Sequence, residues 1–327
     1  MILSKTPYRI SFFGGGTDYP SWFKKHKGNV LSATIDKHVY LSIRNLPPYF
    51  NYKYRIVWSK VENVKNLNLI QHNVVREMFK HFKIKNGIEL HYQGDLPARS
   101  GMGSSSSFVV GLMKMLLLKK KINTSNIELA NKCISFEQKI LKETVGIQDQ
   151  ISATFGGLNK ISIEKNGSFK IKKIKIDKNI KNFNNNLLLL FTGINRTANE
   201  IAGQYVSQLT KNKIFEMKQI NDQVIEGENL LKTNDFDNFG RLLDEAWQLK
   251  KSLSKVISNN RINDLYNFGI RNGALGGKLL GAGGGGFMLL YMPVYLQKKF
   301  LNKIKNKVIR VPFRFTKEGS TITLNKN

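Results

Sequence analysis

A stretch rich in glycine and serine separates two apolar runs of different periodicity, and it limits what the surrounding chain can fold into. Residues 87–92 before it alternate apolar and polar side chains, which is typical of a half-buried strand. Residues 108–118 after it are densely apolar and contain no proline, which favours a buried helix. The stretch between them, residues 94–107, reads Gly-Asp-Leu-Pro-Ala-Arg-Ser-Gly-Met-Gly-Ser-Ser-Ser-Ser. The predicted order is therefore strand, loop and helix.

Two glycines of this loop, Gly101 and Gly103, allow positive φ and turn several backbone N–H groups inward. The serines after them fall on the first helical turn, where free N–H groups and the positive end of the helix dipole favour an anion. Such a loop suits a polyphosphate; the alternative is a serine-capped helix after a flexible loop. The sequence contains no Walker A motif, so the loop is of another kind.

Length, cysteine content and charge limit the classes of protein to which this chain can belong. The 327 residues are enough for two domains, and the single cysteine, Cys133, excludes an internal disulfide and fits a reducing compartment. Neither a signal-peptide core nor a long apolar run occurs, so we expect a cytoplasmic protein that has no membrane partner. The net charge of +29 is mostly lysine beside many Asn and Ile residues, a pattern that biased codon usage produces on solvated faces. Nucleic-acid binding stays open as an alternative.

A second candidate site follows the first predicted strand, residues 8–13. Three consecutive glycines come next, and then Thr17, Asp18 and Tyr19. The glycines bring the backbone close to a ligand, while the hydroxyl and carboxylate groups suit the hydroxyls of a sugar. The alternative is a tight turn in which Asp18 caps a short helix at residues 21–25.

Two acidic residues stand out after the loop. The predicted helix 126–143 has an apolar stripe that begins at Ile127 and contains Glu137, and a carboxylate on a buried face needs a cation. A glutamate at the edge of the stripe that reaches water is the alternative. Asp149 lies twelve residues further on, at a helix break, where an ordinary N-cap is the simplest interpretation.

The second half carries two further features and a boundary. Arg196 stands in Thr-Gly-Ile-Asn-Arg-Thr-Ala, and it is either a ligand of a substrate phosphate or an ordinary surface arginine. Residues 276–286 contain Gly-x-Gly-x-x-Gly, but a strand follows where a dinucleotide site needs a helix. The Lys/Asn-rich stretch 177–186 is interpreted as a solvated link and divides the chain into domains 1–182 and 183–327.

Residues 49–59 interleave aromatic and basic side chains. Single-strand nucleic-acid platforms have this pattern, but an edge hairpin with cross-strand aromatic pairs and protective lysines is favoured. The residues that bind adenine are not assigned by any motif, and we look for them near residues 58–73.

Three motifs now point to one family. Pro97 and the loop after it, Pro-x-x-x-Gly-Met-Gly-Ser-Ser-Ser-Ser, resemble the phosphate loop of the galactokinase, homoserine kinase, mevalonate kinase and phosphomevalonate kinase (GHMP) superfamily, usually Pro-x-x-x-Gly-Leu-Gly-Ser-Ser-Ala. Met102 for leucine and Ser106 for alanine are mild departures. The Gly-Ile-Gln-Asp-Gln segment around Asp149 is similar to Gly-Ile-Met-Asp-Gln of galactokinases, and residues 276–286 resemble the third motif of the family.

The first motif separates branches of this family. Residues 14–18, Gly-Gly-Gly-Thr-Asp, differ from the Gly-Glu-His-Thr-Asp of galactokinases. They are more similar to the branch that phosphorylates the anomeric hydroxyl of heptose 7-phosphate, with fucokinase-type enzymes nearby.

The resemblance implies an α+β, two-domain GHMP kinase fold with a ribosomal-S5-like N-terminal α/β domain, a ferredoxin-like C-terminal domain and an active site between them. It implies Asp149 as the catalytic base with Arg9 beside it, and Ser105 and Glu137 as ligands of Mg²⁺. The residues implied for the ATP phosphates are Gly101, Met102, Gly103, Ser104, Ser105 and Ser106. The residues implied for the sugar are Gly16, Thr17, Asp18, Tyr19, Arg196, Gly283 and Gly284.

The activity implied is ATP-dependent phosphorylation of the C1 hydroxyl of D-glycero-D-manno-heptose 7-phosphate to the 1,7-bisphosphate, toward nucleotide-activated heptose for surface polysaccharide. Another anomeric sugar kinase, of the fucokinase type, is the first alternative. A basic nucleic-acid-binding protein on an S5-like fold is the second, and the pair of acids argues against it. The expected partners are ATP and a sugar phosphate, without nucleic acid or membrane, and a homodimer is left open.

Overall fold

The computed structural model describes residues 1–175, 179–194, 198–304 and 307–325, which form two β-sheets covered by helices. The strands are β1 (Ile2–Phe13), β2 (Gly28–Asn45), β3 (Tyr54–Val57), β4 (Val61–Val64), β5 (Ile88–Gly94), β6 (Leu158–Ile163), β7 (Phe169–Lys173), β8 (Leu187–Phe191), β9 (Gly276–Leu279), β10 (Phe287–Tyr291), β11 (Ile309–Arg310) and β12 (Thr321–Asn325). The helices are α1 (Pro20–His26), α2 (Asn73–His81), α3 (Ser104–Lys119), α4 (Asn126–Ser135), α5 (Gln148–Phe155), α6 (Ile180–Asn185), α7 (Ala198–Tyr205), α8 (Ile214–Thr233), α9 (Phe236–Leu253), α10 (Asn260–Arg271) and α11 (Val294–Ile304).

The first sheet has eight strands. Its order is β12-β1-β2-β5-β3-β4, and β6 joins it on β2 with β7 outside. Helices α3 and α5 pack on β1 and β2, and α8 and α9 from the second half contact β1 as well. All residues from 6 to 13 of β1 are therefore buried. A polar side chain among them, such as Arg9, needs a partner inside the protein.

The second sheet is smaller and antiparallel, in the order β11-β8-β10-β9. Its central strands, β8 and β10, are apolar and almost wholly buried, and α9 and α10 pack against β9. This half agrees with the expected antiparallel sheet covered by helices, and the two halves together confirm the predicted α+β class.

The end of the chain returns to the first sheet, where Ile2 of β1 pairs with Asn325 of β12.

The division proposed from the sequence, between residues 182 and 183, falls inside α6. The prediction of a solvated link over 177–186 is wrong for its described part, because α6 buries Phe183 completely. Its ring packs against aromatic side chains of both halves, namely Phe12, Phe236, Phe239 and Phe315.

Several local predictions can be compared with these elements. The edge hairpin is confirmed, because β3 and β4 pair antiparallel at the end of the sheet. The helix 126–143 is shorter than predicted: α4 ends at Ser135, and residues 136–140 form a π-helical turn. Ile127 does not belong to a buried stripe, since it is 58% exposed. Across the described part of the chain, every helix is too short or too polar to span a bilayer.

Candidate active site

A cleft with a volume of about 410 Å³ lies where the two halves of the molecule meet. One wall comes from β1, the loop before α3 and the start of α5, and it includes Arg9, Gly101 and Asp149. The second half contributes residues from α9 and the loop after β9, including Lys250 and Gly281, and Gly281 packs directly against Gly101. A cavity of this volume is typical of a site for a small molecule.

The predicted phosphate loop has the strand, loop and helix order expected of it. Gly101 and Gly103 adopt φ of +80° and +77°, in the left-handed region that favours glycine. A Cβ atom on Gly101 would lie 2.5 Å from the carbonyl oxygen of Leu280, so the loop also needs glycine for space. α3 begins at Ser104, and its first turn offers free N–H groups and the positive end of a 16-residue helix to the cleft.

Of the residues predicted to hold ATP phosphates, one does not line the cleft. The lining residues are Gly101, Gly103, Ser104, Ser105 and Ser106. The side chain of Met102 is fully buried in the core, and its carbonyl accepts a hydrogen bond of 3.1 Å from the Arg9 N–H. Met102 therefore fastens the loop to β1 through its backbone, and its side chain is not available to a ligand.

Arg9 and Asp149 form a bidentate ion pair at the base of the loop. Arg9 donates from Nε to Oδ1 at 2.7 Å and from Nη2 to Oδ2 at 2.8 Å, and its Nη1 donates to the Gly101 carbonyl at 2.7 Å. Arg9 is only 5% exposed, whereas Asp149 is partly open to the cleft in the first turn of α5. A Cβ on Gly103 would lie 3.4 Å from Asp149 Oδ2. The predicted base, its arginine and the phosphate loop are thus in one place.

Glu137 is fully buried in the π-helical turn, so the alternative that it reaches water is wrong. Ser106 Oγ lies 3.0 Å from both carboxylate oxygens and donates to them, and the Gln150 side-chain amide donates to Oε2. Within the described residues, Glu137 forms no ion pair with a lysine, arginine or histidine. Burial without a cation raises the pKa of Glu137 to about 8. π-Helical turns of this kind are frequent at functional sites.

The predicted metal ligands were Ser105 and Glu137; Ser105 lines the cleft, but the serine that contacts Glu137 in the structure is Ser106, so the assignment of Ser105 stays a prediction. Ser106 contacts Glu137, whereas Ser105 is exposed. Adjacent residues of a helix point about 100° apart, so only one of the two serines can face the π-helical turn.

The oxygen donors around Glu137 fit Mg²⁺. The described residues contain no cluster of three His, Cys, Asp or Glu side chains that could hold a metal by itself. Mg²⁺ usually takes one or two carboxylates and completes its shell with substrate phosphates and water, so one carboxylate beside a phosphate loop is a suitable set. The Gln150 Oε1 atom is buried without a hydrogen-bond partner, which leaves a further oxygen unsatisfied there.

The loop after β1 presents Gly16, Asp18 and Tyr19 to the cleft, as predicted. The Asp18 carboxylate is almost completely buried and accepts hydrogen bonds from the N–H groups of Gly16 at 3.1 Å and Gln148 at 3.3 Å. Burial, with a smaller contribution from the nearby Asp149, raises the pKa of Asp18 to about 6. Asp18 is therefore held firmly in the cleft wall.

Thr17 does not fulfil the role predicted for it. Its side chain is fully buried, and its hydroxyl lies 2.8 Å from the Gly14 carbonyl and 2.7 Å from the Asn29 carbonyl. It also accepts a hydrogen bond from the Asn29 N–H at 3.2 Å. The hydroxyl that the sequence suggested for a sugar is used by the protein backbone.

The third glycine-rich stretch also differs from the prediction. Gly283 and Gly284 pack against Ile257, and the Gly284 N–H donates to its carbonyl at 2.9 Å. Gly281 and Ala282, two residues earlier, are the ones that line the cleft. Arg196 lies outside the described residues.

Aromatic side chains line one end of the cleft, within and beyond the region suggested for adenine. Trp58, His72, Tyr92 and Phe108 are all lining residues. The His72 and Phe108 rings are stacked, with centroids 5.0 Å apart and an interplanar angle of 17°. A flat apolar group such as a purine base fits between such walls, so this end stays our prediction for adenine.

Several cleft residues were not singled out from the sequence, and Gln148, Lys250 and Lys278 are among them. Gln148 accepts a hydrogen bond of 2.8 Å from Ser11 Oγ and belongs to the segment around Asp149, so its motif carried a signal. Lys278 lies inside the third glycine-rich motif, so that motif could have identified it. Lys250 had none, because it stands outside every motif in a chain with 52 lysines and arginines.

The site combines a glycine-rich loop at the start of a helix with a buried arginine–aspartate pair, in a cleft between the two halves of an α+β protein. This combination is typical of a kinase that acts on a small molecule. The family models agree with this class. Residues 68–157 match the GHMP kinases N terminal domain, and residues 228–293 match the GHMP kinases C terminal domain. The two matches, one in each half of the chain, support an ATP-dependent sugar kinase with the two-domain GHMP kinase fold.

The D-glycero-alpha-D-manno-heptose 7-phosphate kinase of Campylobacter jejuni subsp. jejuni serotype O:2 is 28% identical over 97% of each chain. The bifunctional fucokinase/GDP-fucose pyrophosphorylase of Arabidopsis thaliana is 25% identical over 87% of this chain and 29% of its own length. Among solved structures, a putative sugar kinase from Campylobacter jejuni has a TM-score of 0.75 at 27% identity, covering 98% of this chain and 97% of that one. A D-glycero-D-manno-heptose 1-phosphate kinase from Bacteriodes thetaiotaomicron has a TM-score of 0.80 at 22% identity with complete coverage of both chains, which supports the fold.

Proposed function

We propose that this enzyme, an ATP-dependent sugar kinase, transfers the γ-phosphoryl group of ATP to the C1 hydroxyl of D-glycero-D-manno-heptose 7-phosphate. The product is the 1,7-bisphosphate, a precursor suited to nucleotide-activated heptose. The observation that carries the proposal is the Arg9–Asp149 pair against Gly103 of the phosphate loop. The choice of sugar is supported by the heptose 7-phosphate kinase similar to the chain over 97% of its length, and by the Gly-Gly-Gly-Thr-Asp sequence.

The phosphate loop positions the donor. Backbone N–H groups around Gly101 and Gly103 and at the start of α3 bind phosphate oxygens, and the helix dipole adds to the attraction. In phosphoryl transfer the protein contributes mainly by positioning and by stabilising charge. The adenine base lies toward Trp58 and His72 in this proposal.

Asp149 accepts the proton of the sugar hydroxyl. Its carboxylate is the acidic group that is both open to the cleft and adjacent to the phosphate loop. An anomeric hydroxyl is more acidic than an ordinary alcohol, so a carboxylate is an adequate base for it. Arg9 fixes both oxygens of the carboxylate and offsets negative charge that develops on the moving phosphoryl group.

Glu137 and Ser106 would hold Mg²⁺ beside the loop. The bound cation would neutralise charge on the phosphate oxygens of the donor. The Ser106 hydroxyl and the Gln150 amide orient the Glu137 carboxylate through their hydrogen bonds. On the other side of Asp149, Asp18 and Tyr19 orient the sugar.

The test is ATP consumption in the presence of Mg²⁺ against a panel of acceptors: D-glycero-D-manno-heptose 7-phosphate, mannose, fucose, galactose and no sugar. We expect strong turnover with heptose 7-phosphate alone, and ³¹P NMR of the product should show a phosphate on C1. Turnover that prefers fucose would replace the heptose by the fucokinase-type alternative. No turnover with any acceptor would contradict the proposal. Asp149→Asn protein run in parallel controls for a contaminating ATPase.

A further inference from the structure

Two lysines line the cleft from the second half, and the mechanism above uses neither of them. Lys250 lies in the last turn of α9, and its Nζ donates to the carbonyls of Leu279 at 2.9 Å and Gly281 at 2.5 Å. Lys278 lies in β9, is only 6% exposed, and donates from Nζ to the Phe12 carbonyl at 2.5 Å. Backbone carbonyls therefore hold both amines at fixed positions in the wall.

No carboxylate of the described residues forms an ion pair with either lysine. The acidic groups nearby are engaged, because Asp149 pairs with Arg9 and Asp18 accepts from backbone N–H groups. Removal from water and repulsion from neighbouring cations lower the pKa of Lys250 well below its usual range, and the same causes lower that of Lys278 to about 7. Unpaired buried cations are costly, and a protein retains them where an anion binds.

Both amines have hydrogen-bond capacity left. An ammonium group has three donors. Among the described residues, Lys250 uses two of them and Lys278 uses one, so each can donate again into the cleft. Arg9 lies close enough to both amines to disfavour their charged forms, which a bound anion would favour instead.

The position of this lysine pair indicates the chemistry of its anion. Lys250 holds the carbonyl of Gly281, and Gly281 packs on Gly101 of the phosphate loop, where a Cβ would lie 2.4 Å from the Gly101 Cα. Lys278 donates to the Phe12 carbonyl of β1, so the pair lies where the second half meets β1 and the phosphate loop. A doubly charged tetrahedral oxyanion offers enough acceptors and charge for both lysines.

We infer that Lys250 and Lys278 form a phosphate-binding site in the cleft wall beside the phosphate loop. Two phosphates in the reaction have the required chemistry: the phosphate that the sugar carries and the phosphoryl group in transfer. The existence of the site does not depend on the proposed function; only the choice between these two sources rests on it.

The first experiment needs no catalysis. Orthophosphate binding is measured by calorimetry for the wild type, Lys250→Met and Lys278→Met, with Lys251→Met as the matched control. Lys251 is the next residue of the same helix, and its Nζ lies 5.7 Å from the centre of the Trp247 ring. We expect binding to weaken about 10-fold or more in the first two variants, as for a lost charge-assisted hydrogen bond, and to stay within about 2-fold in the control.

Methionine keeps the length of the lysine stem and removes the charge, but the carbonyls of Leu279 and Gly281 lose a donor, so thermal melts check that Lys250→Met is folded. Lys250→Arg is the second variant, and it should retain orthophosphate binding because the positive charge is kept. Wild-type affinity for orthophosphate in folded Lys250→Met and Lys278→Met proteins would overturn the inference.

The second experiment identifies the source of the phosphate. Steady-state kinetics compare D-glycero-D-manno-heptose 7-phosphate with the unphosphorylated heptose in the same variants. A rise in KM of about 10-fold or more for the phosphorylated sugar alone assigns the site to the sugar phosphate. A similar loss of kcat with both sugars assigns it to the transferred group. If the wild type uses neither sugar, the proposed function fails, whereas the orthophosphate titration still decides the site.

Discussion

Asp149 and Glu137 lie near one another in the first half of the molecule, yet they differ in solvent exposure and in the charge of their hydrogen-bond partners. Asp149 is open to the cleft and bonded by both oxygens to Arg9. Glu137 is closed off from water, and its described partners, Ser106 and Gln150, are neutral. An adjacent cation favours the ionised form of an acid, and burial among neutral groups favours the protonated form. One acid is thus prepared to take a proton from a substrate, and the other to receive a cation.

The largest effect should come from the acid beside the arginine. Asp149→Asn keeps the shape of the side chain and removes the base, so we expect kcat to fall about 10³-fold while ATP binding changes little. Calorimetry with a nonhydrolysable ATP analogue checks that the phosphate loop is intact. If the variant keeps kcat within about 10-fold of the wild type, Asp149 is not the catalytic base. The proposed difference in role between Asp149 and Glu137 would then be wrong.

The second prediction concerns the acid that lacks a cation. Glu137 holds its proton in the folded protein up to pH about 8, whereas its ordinary value is 4.5. The folded state therefore binds more protons than the unfolded state between these values, and stability falls as pH rises through that window. Glu137→Gln has no proton to lose, so its stability relative to the wild type should increase with pH, by up to about 1.4 kcal/mol per pH unit.

Urea denaturation across this window measures the difference. Glu164→Gln is the control, because Lys27 lowers the pKa of the exposed Glu164 and places its titration below the window. A stability difference between Glu137→Gln and the wild type that does not change with pH would mean that Glu137 is ionised in the folded protein across this window.

The sequence was a good guide where neighbouring residues in the chain act together. Gly101 and Gly103 must take positive φ for the loop to turn, and this requirement is visible in the residue types themselves. The pairing of Arg9 with Asp149 was accessible only through the resemblance, because 140 positions separate the two. A family pattern supplied that long-range contact.

Side-chain direction was predicted poorly. Thr17, Gly283 and Gly284 belong to motifs that border the cleft, but they face the protein. Which of several adjacent residues faces a ligand depends on the rotation of a turn or helix, and a motif leaves that rotation unspecified. Lys250 shows a further limit, because its burial depends on α9 packing against β9, and its residue type is abundant everywhere in the chain.

The smallest predicted effect distinguishes the two serines at the start of α3. Ser106 donates to both oxygens of Glu137, and Ser105 does not contact it in the structure. Ser106→Ala introduces the residue usual in the family and removes that donor, which costs about 1 kcal/mol or several-fold in the affinity of the enzyme–nucleotide complex for Mg²⁺. Ser105→Ala should change this affinity by less than about 2-fold.

Thermal melts with ADP and increasing Mg²⁺ compare the two variants without relying on turnover. In the absence of Mg²⁺, Ser106→Ala should also move the pH dependence of stability to higher pH, because the lost donor had favoured the ionised carboxylate of Glu137. Ser105→Ala should leave that dependence in place. If Ser105→Ala weakens Mg²⁺ binding and Ser106→Ala does not, the serine implied by the family resemblance is the metal ligand, and the contact between Ser106 and Glu137 serves only to satisfy a buried acid.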